Sequence, residues 1–191
     1  MKIILIISII FSIAVCYTFL NRNSDFKADQ FSDSIYNYSI KTIDGEEISL
    51  MQFKGKKIMI VNVASKCGYT PQYNELQTIH EEYGKEIKII GFPSNDFLWQ
   101  EPGKNLDIKK FCTSKYGVSF YLAEKSIVKK KKNQNPIYTW LSNKSLNGWN
   151  DKAPSWNFCK YLIDETGKLI YFYPSSVKPL DEEILDFINN E

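Results

Sequence analysis

The chain has 191 residues, 43% of them hydrophobic and 15% aromatic, which suits one globular domain with a real core and is too short for two ordinary ones. Its formal net charge of +2 gives no global electrostatic case for nucleic acid, and the lysine run at 129–132 reads as a solvated face. With four cysteines, no CxxC pair and a single histidine, the ligand set of a structural zinc site is missing.

Met1 and Lys2 precede an apolar run, residues 3–20, broken only by Ser8, Ser12, Tyr17 and Thr18. A positive charge before an apolar block describes a secretory signal or an uncleaved anchor. The run is long enough for a bilayer, which needs about 17–25 residues. Ile13-Ala14-Val15-Cys16 faintly resembles a lipoprotein box, although Val15 is bulky for its place, so lipidation is the minority reading. The division is a signal peptide or anchor over 1–20, a linker over 21–34 and a domain over 35–191. Export or membrane anchoring, in a periplasm or secretory pathway, is the expectation.

Asp44-Gly45 between residues 36–40 and 47–50 signals a hairpin. Residues 58–63 form an apolar run suited to a buried central strand. Thr70 can cap a helix with Pro71 at its first position, and Tyr73, Leu76, Ile79 and Tyr83 recur at helical spacing until Gly84. Residues 87–92 give the next strand, and 93–103 a loop. Helices follow at 105–116 and 136–141, then a hairpin of strands 156–163 and 169–173, then a closing helix at 180–188. The expected class is α/β: a thioredoxin-like fold, a central mixed sheet flanked by helices, with an N-terminal β-hairpin extension.

Cys67 is the residue most suggestive of chemistry. It sits where the strand ending at Val63 gives way to a helix, beside Lys66 and facing the first-turn N–H groups. Both features favour the thiolate, the form that attacks. A lone cysteine after a strand is more often a buried packing residue, and only its placement argues otherwise. His80 stands roughly 20 Å along the helix from Cys67, too far to serve as its base.

Three segments line up in order: Asn62-Val63-Ala64-Ser65-Lys66-Cys67-Gly68-Tyr69-Thr70, then the segment ending Gln100-Glu101-Pro102-Gly103, then Trp156-Asn157-Phe158. Together they closely resemble the glutathione peroxidase family, from about Tyr36 to the C-terminus. The resemblance implies a peroxidatic Cys67, with Gln100, Trp156 and Asn157 completing the catalytic set. It implies no cofactor and no metal. Physically, the indole and amide N–H groups can donate to a sulfur anion or a peroxide oxygen and favour an in-line displacement. Cys67 would become a sulfenic acid.

Phe111-Cys112-Thr113 resembles the segment that carries the resolving cysteine in thioredoxin-dependent members. That likeness implies a Cys67–Cys112 disulfide, with partial unwinding of the helix, because the two Cα atoms must come within about 7 Å. Ser94 stands where many members have another cysteine, and Cys159 is taken as packing. Leu98-Trp99 follow Phe97 where many relatives carry glycine, and Asp96 replaces the usual glutamine. The segment 122–156 lacks the insertion that resembles an assembly loop, so a monomer is expected. Arg22 is the only arginine, which leaves no cluster for glutathione carboxylates and favours a thioredoxin-like reductant over glutathione. The partners expected are thus a hydroperoxide, that reductant and a possible membrane tether. Two alternatives stay open: a redox relay passing its disulfide to a partner, and a disulfide reductase, which the lack of CxxC argues against.

Overall fold

The computed structural model describes residues 33–190, so the expected signal or anchor and nearly all of the expected linker lie outside the described residues. The Asp33 carboxylate accepts hydrogen bonds from Asn37 and Tyr38 at 2.7 and 2.6 Å. Strands β1 (Ser39–Lys41) and β2 (Glu47–Ser49) pair antiparallel as the N-terminal hairpin. Gly45 in its turn has φ +90°, a conformation glycine adopts without a Cβ clash.

β3 (Lys57–Val63) is buried along its whole length, as its run of Ile, Met and Val on both faces requires. Helix α1 (Gln72–Tyr83) carries the chain over to β4 (Ile87–Pro93), which pairs parallel with β3 from Lys57↔Ile87 to Val63↔Pro93. Helix α2 (Asn105–Tyr116) leads to a short β5 (Tyr121–Leu122), parallel to β4. The small helices α3 (Pro136–Leu141) and α4 (Lys144–Asn147) follow. β6 (Lys160–Ile163) and β7 (Leu169–Tyr173) are antiparallel, and α5 (Glu182–Asn189) closes the domain. The sheet order is β5-β4-β3-β6-β7.

Alternation along the strands makes two cores. Met59, Val61, Ile87, Ile89 and Leu162 pack with Tyr73, Leu76 and Ile79 of α1, Ile108 and Cys112 of α2, and Ile184 and Ile188 of α5. Ile58, Ile60, Ile90, Phe92, Tyr161 and Ile163 pack on the other side with Ile35, Leu50, Tyr138 and Trp140. Lys57 lies buried under the end of α5, where its ammonium donates to the carbonyls of Ile188 (3.1 Å) and Asn190 (2.5 Å). A cation there complements the negative end of the helix.

Two local expectations change. Thr70 does not cap α1: the N-cap position is Pro71, with no side-chain cap bond. The Thr70 hydroxyl instead donates to the Ala64 carbonyl at 2.8 Å and accepts from the Cys67 N–H at 2.9 Å. Residues 156–159, expected to be strand, form a turn, and β6 begins only at Lys160. Phe158 in that turn has φ +68°, which no strand allows.

Candidate active site

Because β3 and β4 run parallel and β6 runs against them, the segments after β3, after β4 and before β6 all meet at one end of the sheet. Asn62 joins the first to the third. Its backbone carbonyl accepts from the Phe158 N–H at 2.6 Å, its Nδ2 donates to the Trp156 carbonyl at 2.8 Å, and its Oδ1 accepts from the Cys159 N–H at 3.1 Å. These bonds hold the left-handed turn that carries Trp156 and Asn157.

Glu101 joins the first to the second. Its carboxylate is fully buried and accepts from both the N–H and the hydroxyl of Ser65, at 2.8 and 2.6 Å. Burial pushes its pKa above the usual carboxylate range, opposed by the Ser65 bonds and by the charges of Lys125 and Lys66. Next to it, the Lys66 N–H donates to the Gln100 carbonyl at 3.0 Å. The backbone just before Cys67, at Ser65 and Lys66, is therefore tied to the loop that carries Gln100.

Cys67 is 8% exposed and packs in the same apolar cluster as Tyr73 and Cys112, with Trp156 against it. Its sulfur accepts from the Tyr69 N–H at 3.4 Å. That donor lies in the turn ahead of α1, not in the helix's first turn as the sequence suggests. Gln100 and Asn157 meet directly, Asn157 Nδ2 donating to Gln100 Oε1 at 3.0 Å. This bond engages the Gln100 carbonyl oxygen, and the Gln100 N–H₂ has no protein partner among the described residues. The buried Asn157 Oδ1 also lacks a partner. Trp156 is half-buried against Phe97, with ring centroids 5.8 Å apart. Beside it a groove of about 370 Å³ is lined by Tyr69, Ser155, Trp156, Pro174, Ser175 and Ser176. Cys67, Gln100, Trp156 and Asn157 thus lie on three segments bonded to one another, and of the four Trp156 lines the groove.

Cys112 is apart from that frame. It is fully buried on α2 and carries a free thiol, as do Cys67 and Cys159. Burial raises its pKa to about 11, with the adjacent Tyr73 hydroxyl opposing and Glu101 adding to the rise. That hydroxyl lies beside the thiol but makes no hydrogen bond of good geometry. Cys159 is buried, its sulfur 3.7 Å from the Ser175 hydroxyl. His80 packs edge-on against Phe120, and desolvation lowers its pKa. Among the described residues no group of three or more His, Cys, Asp or Glu could hold a metal ion.

The lysine run is more than a solvated face. Its four side chains are exposed, yet Lys131 pairs with Asp96 at 2.5 Å, Lys129 lies 4.6 Å over the Phe97 ring, and Lys130 donates to the Asp151 carbonyl at 2.9 Å. Asp96 also accepts from the N–H groups of Val128 and Lys129 at 2.7 and 3.0 Å. The run braces the loop that carries Gln100.

Residues 35–142 match the family model for glutathione peroxidase. The chain belongs to the glutathione peroxidase family. It is 39% identical to the glutathione peroxidase homolog BsaA of Bacillus subtilis, over 81% of this chain and 98% of that one. It is 40% identical to the hydroperoxy fatty acid reductase gpx1 of Synechocystis, over 78% and 92%. The glutathione peroxidase-like peroxiredoxin 2 of Saccharomyces cerevisiae is also 40% identical, over 82% and 98%. The crystal structure of Trgpx in apo form superposes with a TM-score of 0.61 at 31% identity, over 83% of this chain and 98% of that one. A thioredoxin-family thiol:disulfide interchange protein of Chlorobium tepidum superposes at 0.55 with 16% identity, over 83% and 94%, which establishes the thioredoxin-like fold alone. As a glutathione peroxidase-family enzyme, the protein is a peroxidase that works through cysteine.

Sequence reasoning missed the residues that build the frame. Asn62 had a signal, as the one polar residue in the run 58–63. Glu101 had none, because charged residues normally stay in water.

Proposed function

We propose that Cys67 reduces hydrogen peroxide and organic or lipid hydroperoxides, with Gln100, Trp156 and Asn157 as hydrogen-bond donors and Cys112 as the resolving thiol. The Cys67 thiolate attacks the distal peroxide oxygen, the O–O bond breaks, and the leaving oxygen takes a proton to depart as water or alcohol. Cys67 is then a sulfenic acid. Cys112 displaces its hydroxyl as water, giving a Cys67–Cys112 disulfide, which a thioredoxin-like dithiol reduces. Donors aimed at the developing charge lower the first barrier.

The observation that carries this reading is the Asn157–Gln100 bond, set on loops that also fix the backbone at Cys67. It turns the free N–H₂ of Gln100 away from Asn157, as a donor for substrate must be. The relatives' names as peroxidases, a hydroperoxy fatty acid reductase and a peroxiredoxin support the substrate class and the thiol route. The absence of any arginine but Arg22 supports a thioredoxin-like reductant over glutathione. We carry two further expectations into the proposal, export or membrane tethering through residues 3–20 and a monomeric state, to be checked by fractionation and sedimentation.

Thioredoxin-coupled turnover tests the scheme. Cys67→Ser should abolish peroxide consumption. Cys112→Ser should permit one oxidation per chain and then stop. Undiminished thioredoxin turnover in Cys112→Ser would remove Cys112 from the route. The buried, high-pKa thiol of Cys112 also favours a second reading, a relay whose slow resolution leaves the sulfenic acid for a partner protein. Negligible turnover with a stable mixed disulfide would select that reading.

A further inference from the structure

Leu98 and Trp99 stand at the lip of the site and have no part in its frame. They are 67% and 76% exposed, and both have left-handed backbone, φ +48° and +53°. Glycine occupies that region freely, while side chains with a Cβ do so at a cost. One exposed apolar residue needs no explanation. Two consecutive large ones, held outward by a disfavoured backbone directly before Gln100, point to a surface that is apolar for a use.

The charge around them is positive. Lys66 is bonded through its N–H to the Gln100 carbonyl at 3.0 Å. Lys129 lies over Phe97, the residue before Leu98. Lys125 donates to the Gly103 carbonyl at 2.5 Å, next to Lys104 at the loop's exit. All four ammonium-bearing side chains are exposed. The nearby acids are committed: Asp96 is paired with Lys131, Glu101 is buried under Ser65, and Asp107 accepts from the Lys104 N–H. The loop therefore carries a Leu-Trp tip with four exposed lysines, Lys66, Lys104, Lys125 and Lys129, on or bonded to the same loop or packed on it.

We propose that this tip docks on an anionic lipid bilayer. Leucine and tryptophan enter the boundary between headgroups and acyl chains, where an amphipathic indole is at home, and the lysines lie over the lipid phosphates. Docking there presents Cys67 to hydroperoxides carried in the bilayer itself. The docking stands on geometry and charge, whereas its purpose rests on the peroxidase reading above.

The test uses the full chain, so that residues 1–32 are the same in every variant. Vesicles of phosphatidylglycerol with brominated acyl chains should quench the tryptophan fluorescence of the wild type. Trp99→Phe should show almost no quenching, and brominated phosphatidylcholine should quench the wild type less. Equal quenching of wild type and Trp99→Phe, or equal quenching by both lipids, would overturn the proposal. In a second arm, Leu98→Ser/Trp99→Ser should be oxidised about tenfold more slowly by a phospholipid hydroperoxide in those vesicles, with its rate against dissolved hydrogen peroxide held within about twofold. Parallel loss of both rates would place the pair in the chemistry and overturn docking. A rise only in KM for the thioredoxin-like reductant would make the tip a protein dock and also overturn it. Failure of every peroxide to oxidise Cys67, with Trp99 still quenched, would sink the peroxidase reading and leave the docking standing.

Discussion

At Asn62 a side chain does what backbone does elsewhere in a sheet. β3 pairs with β6 only as far as Val61↔Lys160, and beyond that point the carboxamide takes over, bonding both ends of the Trp156–Cys159 turn. Leucine would match its shape and supply neither bond. It would leave a buried carbonyl and a buried N–H unpaired, at about 1–3 kcal/mol each. Asn62→Leu should therefore lower unfolding stability by roughly 2–4 kcal/mol in chemical denaturation. It should also slow Cys67 oxidation, because Trp156 and Asn157 lose their seat. Wild-type stability in Asn62→Leu would contradict this role.

Lys160 does for whole elements what Asn62 does for one turn. Its ammonium is buried and donates to Gln72 Oε1 at the start of α1 (2.7 Å), to the Phe158 carbonyl of the site turn (2.9 Å) and to the Val177 carbonyl ahead of α5 (2.5 Å). Three acceptors need three donors, which the ammonium has and the neutral amine lacks. Burial nonetheless lowers its pKa to about 8. The unfolded chain, with an ordinary lysine near 10.4, then binds more protons than the native state between about pH 8 and 10.4. Stability from this group therefore rises with pH across that window, and below it the cost of the buried charge is felt in full. Unfolding free energy of the wild type minus that of Lys160→Met should rise by about 2 kcal/mol from pH 7 to 9.5. A difference that stays flat or falls would contradict the assignment. α2 is the opposite kind of element. Its end is fixed by Gly117 at φ +65°, whose N–H donates to the Thr113 carbonyl at 3.1 Å. Cys112 lies just before that end, fully buried, and its carbonyl accepts from the Val118 N–H at 3.2 Å.

Across the whole molecule, what could be read from the chain was what local chemistry decides. The run 58–63 suited a central strand, and the helices at 105–116 and 136–141 appear with those bounds because Asp107, Gly117 and Pro136 punctuate them locally. The peroxidase motifs were legible because they are contiguous. The turn at Trp156–Cys159 was not: Trp156 and Phe158 are good strand formers, and Asn62, nearly a hundred positions earlier, bonds the turn in place. Thr70 looked like a cap because the helix was visible, while its true partners, Ala64 and Cys67, depend on how the loop folds back. Glu101 and Lys160 are charges whose burial no local pattern announces. Cys67, Gln100, Trp156 and Asn157 come to one end of the sheet only when β3, β4 and β6 lie side by side, and the proposed chemistry depends on that convergence. The most direct test is the second-order rate of Cys67 oxidation by hydrogen peroxide, followed by rapid quench and mass spectrometry. Gln100→Ala and Trp156→Phe should each slow it by about 10²–10³-fold while the oxidised sulfur remains Cys67. Unchanged rates in both variants, or oxygen found first on Cys112 or Cys159, would contradict it.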